Sequence, residues 1–95
     1  MQAMEFEDTA WWDDKFSGVK FAAKSAGKRY IFAVSRSALI DFFQTADTKE
    51  QAFLNFEENR SRFERLATRR VVEEKLPHDD GPIVITYLIC IEYQL

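Results

Sequence analysis

Gly18-Val19-Lys20-Phe21-Ala22-Ala23-Lys24-Ser25-Ala26-Gly27-Lys28-Arg29-Tyr30-Ile31-Phe32-Ala33-Val34-Ser35 is the stretch on which the fold turns. In its first half the larger apolar side chains, Val19 and Phe21, stand at odd positions, and Lys20 and Lys24 point the other way. In its second half the bulkiest side chains, Tyr30, Phe32 and Val34, stand at even positions. Side chains alternate across a strand with period 2. Two such runs joined by a short Gly-containing break therefore predict an antiparallel ribbon with one buried face. Gly27 is suited to the positive φ that the turn requires.

Downstream, Ser35 offers an N-cap, and Leu39, Phe42, Phe43 and Ala46 recur at helical spacing, which predicts a helix over 36–45. Asp47 and Thr48, each with Glu50 or Gln51 three residues on, are overlapping capping boxes. They open a long helix over 49–75 with the apolar stripe Phe53, Phe56, Phe63, Ala67 and Val71, and Arg60 falls in the same column. Pro77 and Asp80-Gly81 end it. From Ile83 to Leu95 every odd position is apolar or aromatic, while even positions begin apolar and end polar. This predicts a long C-terminal strand, paired or covered because an exposed edge of that kind aggregates. The fold expected is α+β: an antiparallel sheet, made of the N-terminal hairpin plus the long C-terminal strand, packed against two helices. Those helices meet the sheet through Leu39, Phe43, Phe53, Phe56, Phe63 and Ala67.

The whole chain, 1–95, reads as one domain, since 95 residues without repeats or linkers supply one core. Residues 1–4 are expected to be disordered, with Met4 close behind Met1. An aromatic content of 15% with only three Gly and two Pro excludes wholesale disorder. One cysteine excludes an internal disulfide. The acidic, base-free start lacks the features of a secretory leader, and no apolar run reaches the length of a membrane span. A cytoplasmic protein without membrane partners is expected. The net charge of −3 averages two opposed regions: residues 1–14 hold five acids and no base, and residues 60–70 hold five arginines against Glu64.

No residue set for catalysis emerges. His78, in Pro77-His78-Asp79-Asp80-Gly81, has no second histidine or cysteine cluster with which to hold a metal, and reads as a solvated turn residue. Cys90, between apolar neighbours, reads as a small buried hydrophobe. The three glycines are isolated and form no phosphate loop. No catalytic residue, metal ligand or cofactor is therefore expected. Arg62, Arg65 and Arg69 follow i, i+3, i+7 spacing, with Arg70 beside them, and form a candidate binding surface for phosphates or an acidic protein. Glu58–Arg62, Arg69–Glu73 and Arg70–Glu74 at i, i+4 offer the plainer reading of a solvated, ion-paired face. Arg60, within the apolar stripe, must reach a rim or a carboxylate, Asp41 or an N-terminal acid, unless it faces a ligand. Trp11 and Trp12 are adjacent, so in an extended chain one indole enters the core and the other stays near the surface as a candidate partner anchor.

The order Phe6, Trp12-Asp13, Val19-x-Phe21, then Gly27, then Val34-Ser35-x-x-Ala38-Leu39-x-Asp41-x-Phe43, resembles the small bacterial family called domain of unknown function 1488. Phe56-x-x-Asn59-Arg60-x-x-Phe63-x-x-Ala67 resembles its helix signature. The resemblance spans residues 5–83 and implies a short bacterial α+β protein; it implies no activity and no catalytic residue. Ile83 to Leu95 runs longer and more apolar than the family pattern. The function expected is a non-catalytic protein-binding or adaptor module that self-associates through its last strand. The alternative is a nucleic-acid-associated regulator using the arginine face.

Overall fold

The computed structural model describes residues 4–73 and 82–95. The hairpin forms in the expected register. Strand β2 (Gly18–Ser25) pairs antiparallel with β3 (Lys28–Ser35) from Gly18↔Ser35 to Ser25↔Lys28. The two-residue turn puts both Ala26 (φ 53°) and Gly27 (φ 76°) in the left-handed region, as a type I′ turn demands.

A strand absent from the expected fold, β1 (Glu5–Asp13), pairs antiparallel with β2, and its register slips between Phe6 and Ala10. Its hydrophobic alternation is broken by Glu7, Asp8 and Thr9, so period 2 is hard to see there. Residues 1–3 of the expected disordered start lie outside the described residues, and Met4 packs against the core.

The expected 36–45 helix is shorter. Helix α1 spans Arg36–Ile40, capped by Ser35, whose side chain accepts from the Ala38 N–H at 3.2 Å. The following turn closes where Gln44 adopts φ 55° and Thr45 N–H donates to the Ile40 carbonyl. Helix α2 (Lys49–Glu58) starts at Thr48, which accepts from Gln51 N–H at 3.1 Å.

The single long helix expected over 49–75 is broken at Asn59 (φ −116°, ψ 20°), and α3 (Arg60–Thr68) follows. Asn59 donates from its side chain to the Asn55 carbonyl and accepts from Arg62. A short polar side chain that satisfies backbone locally lets a helix break there. A π-helical turn over Arg69–Glu73 continues from α3. Pro77, His78, Glu74 and the Asp80-Gly81 turn lie outside the described residues.

The long C-terminal strand is the largest correction. Only Ile83–Ile85 (β4) is strand, and it joins β3 in parallel, Phe32↔Ile83 to Val34↔Ile85. Thr86 then caps helix α4 (Tyr87–Glu92), accepting from Ile89 N–H at 3.3 Å. Odd positions 85, 89 and 93 are also four apart, so the same pattern fits a helix face, and the cap at Thr86 decides between the two. The fold is thus α+β with a four-stranded mixed sheet, ordered β1-β2-β3-β4, and four α-helices among the described residues. It is not the purely antiparallel sheet with two helices.

Sheet and helices meet in one core. Val19, Phe21, Phe32 and Val34 from the sheet are buried against Leu39, Phe56, Phe63, Ala67, Ile85 and Cys90. Phe21 stacks on Phe32 with centroids 5.2 Å apart, and Phe56 on Phe63 at 5.6 Å. Asn55 is buried among them. It donates to the Leu39 carbonyl (2.8 Å) and the Thr45 hydroxyl (2.7 Å) and accepts from Gln51 (2.9 Å), so its amide is satisfied.

Candidate functional site: the uncovered face of the sheet

Strand register sorts the sheet residues onto two faces. The columns Ala10–Phe21–Phe32–Ile83 and Trp12–Val19–Val34–Ile85 face the helices. The alternate column Trp11–Lys20–Ala33–Val84, with Ala22 opposite Ile31, faces the other way. All four helices send their buried residues into the single core. Among the described residues none of that helical layer belongs to the second face. On this face Ala22 and Ala33 are fully buried, Trp11, Ile31 and, between Trp11 and Ala33, Lys20 are half-buried, and Val84 is exposed.

Small residues form the floor of this face. Gly18 continues it, and the Phe16 ring lies so close that a Cβ on Gly18 would meet it at 2.8 Å and the Val34 carbonyl oxygen at 2.1 Å. The rim is charged. Glu5 pairs in register with Lys24, and Lys24 with Arg29. Glu7 accepts two hydrogen bonds from the Arg29 guanidinium, at 2.6 and 2.9 Å. Arg29 holds the Glu7 carboxyl below its usual range. At the far end Lys20 meets Asp13 at 2.9 Å. Asp13 is also held low, chiefly because it accepts the Phe16 N–H and then because of Lys20.

The two tryptophans part company in the way that adjacent strand positions require. Trp12 packs against the core, with the Lys49 ammonium 5.7 Å above its ring, and Trp11 lies on the uncovered face. Arg60 reaches the N-terminal segment, but through backbone rather than the expected carboxylates. Its guanidinium donates to the carbonyls of Glu7 and Asp8 (2.9 Å to Asp8), pairs with Glu64 at 3.0 Å, and lies 5.8 Å from the Phe56 ring centre. The register slip in β1 frees those carbonyls, and Arg60 satisfies them.

The structure places the four arginines of the candidate binding surface in different surroundings. Arg62 donates to Asn59 (2.8 Å) and covers the Phe43 ring, so the expected Glu58–Arg62 pair is replaced. Arg69 and Arg70 both fold over Tyr93, at 4.7 and 5.8 Å, and Arg70 donates to its hydroxyl. Arg65 is exposed. Arg62 and Arg65 stand on α3, and Arg69 and Arg70 on the π turn that follows it. Burial pushes the Cys90 thiol up to about 11 against the opposing pull of Arg62. Such a thiol is a poor nucleophile. No group of three or more His, Cys, Asp or Glu among the described residues is placed to hold a metal ion. None of their helices is long and apolar enough to cross a membrane.

Sheet order and helical cover on one side, among the described residues, define the class: a small two-layer α+β domain. The chain belongs to the DUF1488 family, described as a protein of unknown function, whose sequence profile matches residues 4–85. It is similar in fold to a protein of unknown function from that family in Shewanella loihica PV-4, solved by crystallography. The likeness has a TM-score of 0.74 at 23% identity and covers 90% of this chain and 93% of the other. No curated protein matches the chain.

The family's helix signature now has a physical meaning. Phe56, Phe63 and Ala67 are core, Asn59 breaks the helix, and Arg60 ties α3 to the β1 slip. The uncovered face was missed in sequence because β1 was missed. The alanines at 22 and 33, small residues on the non-core side of two strands, were its one visible signal.

Proposed function

We propose that the chain is a non-catalytic protein-binding module whose contact surface is the uncovered face of the sheet. One observation carries the reading: Trp11, Ile31 and Val84 stand around a floor of Ala22 and Ala33 on a face that no helix of the core covers among the described residues. Contiguous apolar surface on a small domain marks contact sites, and Trp is a common anchor residue at such sites. The arginine-rich helix, the alternative surface for nucleic acid, has weaker support, since Arg62, Arg69 and Arg70 lie over aromatic rings of this chain.

The test is affinity capture with the full chain from bacterial lysate, with and without nuclease. Wild type is expected to retain specific proteins that Trp11→Glu loses and that an Arg65→Ala, Arg69→Ala double variant keeps. A captured set unchanged by Trp11→Glu, or one dependent on nucleic acid and the two arginines, overturns the reading.

A further inference from the structure

We propose that helix α4 guards the free edge of the sheet: capped at Thr86, it keeps residues 86–91 out of a strand that would otherwise pair with the same segment of a second copy. The inference stands apart from the binding-face reading, since it needs no occupant of that face.

Sequence and structure conflict in this segment. Ile83-Val84-Ile85-Thr86-Tyr87-Leu88-Ile89-Cys90-Ile91 holds no charge, no Gly and no Pro, and seven of its nine residues are β-branched or aromatic. Intermolecular sheets are built from neutral runs of that composition. Yet only Ile83–Ile85 is strand, and Tyr87–Glu92 is helix. Of the six helical residues, Leu88 and Glu92 alone belong to the stronger helix formers. A helix this short does not stand alone in water, so contacts beyond local preference hold it.

Two sets of contacts do so. The Thr86 hydroxyl accepts from the Ile89 N–H at 3.3 Å, and the Thr86 carbonyl accepts from the Cys90 N–H at 3.0 Å. Cys90 is fully buried, and Ile89, Tyr93 and Leu95 pack against the core. The outer side of the helix is open: Tyr87, Leu88 and Ile91 are exposed, Leu88 by 73%.

The consequence falls on the sheet edge. β4 ends the order β1-β2-β3-β4, and among the described residues no strand pairs with its outer side. Its three residues make a short edge, which is one way that proteins keep edges from pairing. Continued through Ile91, the strand would be about 30 Å long. It would also run past its own sheet, because Val34 is the partner of Ile85 and β3 ends at Ser35. The backbone groups of residues 86–91 would then lack a partner in their own sheet, and an identical neutral segment offers one. Thr86 is already extended, at φ −99° and ψ 174°, so only the residues after it need change.

Thr86→Val removes the accepting hydroxyl at nearly constant shape, and Thr86→Ser keeps it. Losing such a cap is expected to raise the open population about fivefold. Native-state amide hydrogen exchange on the full chain reads this at Cys90 and Tyr93, whose N–H groups donate to the Thr86 and Ile89 carbonyls. Both should exchange about fivefold faster in Thr86→Val and at the wild-type rate in Thr86→Ser, with protection in β2 and β3 unchanged. On standing at high concentration, Thr86→Val is expected to form sedimentable, thioflavin-binding β-sheet about fivefold faster than wild type. Leu88→Lys puts a charge into the pairing segment at a position that the helix leaves exposed. It should abolish that conversion in the Thr86→Val background.

Unchanged exchange at Cys90 and Tyr93 in Thr86→Val overturns the proposal, and so does faster exchange without faster assembly. Assembly that Leu88→Lys leaves intact overturns it too, since the pairing strand then lies elsewhere. If Thr86→Val also loses protection in β2 and β3, wild type and Leu88→Lys decide at high concentration. Assembly by wild type alone supports the guard, and equal behaviour of the two overturns it.

Discussion

Arg60 stands in the apolar column of its helix, where a lone charge would be expensive, and its chemistry is settled by partners 52 and 53 residues away. The carbonyls of Glu7 and Asp8 lie where the β1–β2 register slips, and one forked guanidinium answers both while pairing with Glu64. β1 is an edge strand, so this tether also occupies backbone groups that would otherwise template another chain. Arg60→Ala is expected to lower stability by about 2 kcal/mol, read from the urea midpoint. Arg60→Lys should recover less than half of that, because an ammonium cannot fork across two carbonyls. Equal midpoints for all three proteins would show that the tether contributes nothing. The need for a partner was legible at this residue; which atoms supply it was not, because a register slip leaves no mark in side-chain pattern.

The hairpin is the element where sequence and structure agree most closely, and it holds a local conflict. A type I′ turn needs positive φ at both central residues, which Gly27 adopts freely and Ala26 does not. Ala26→Asn is expected to raise stability by about 0.5–1 kcal/mol, since Asn tolerates the left-handed region. A thermal melt that does not move, or moves down, contradicts it. Gly18 shows the opposite constraint: its φ is ordinary, but the Phe16 ring and the Val34 carbonyl leave no room for a Cβ. At the C-terminal element a spacing of two and a spacing of four coincide on Ile85, Ile89 and Tyr93. Hydrophobic period alone could not choose, and the Thr86 cap did. The long helix was legible as helix over most of its length, but its break depends on Asn59 reaching back to Asn55.

Across the whole molecule the acidic start and the basic stretches are not free patches. Glu7 pairs with Arg29, Asp13 with Lys20, Asp14 with Lys49 and Asp47 with Arg36. The pH dependence follows from the shifted groups. Glu7 and Asp13 titrate below their ordinary 4.5 and 3.8 in the folded chain, so their stabilisation is present above those values and lost as pH falls through the lowered ones. Cys90 titrates near 11 rather than 9.0, so its contribution is full below pH 9 and lost as pH rises toward 11. Melting temperatures are therefore expected to fall at both ends. Cys90→Ala should flatten the alkaline decline between pH 9 and 11 while leaving the acid limb unchanged. An alkaline limb identical in wild type and variant would contradict the assignment.

Composition and short-range pattern by themselves determined the α+β class, the β2–β3 hairpin with its turn at Gly27, the helical character of 49–68, and the family. Each rests on contacts between residues close in sequence, where side-chain period and capping chemistry act directly. Tertiary structure alone decided that β1 exists, that β4 runs parallel to β3, that Arg60 binds backbone, and that Trp12 rather than Trp11 faces the core. Those features depend on pairing between segments far apart in the chain. Loop closure and shared burial fix such pairings, and no local pattern records them.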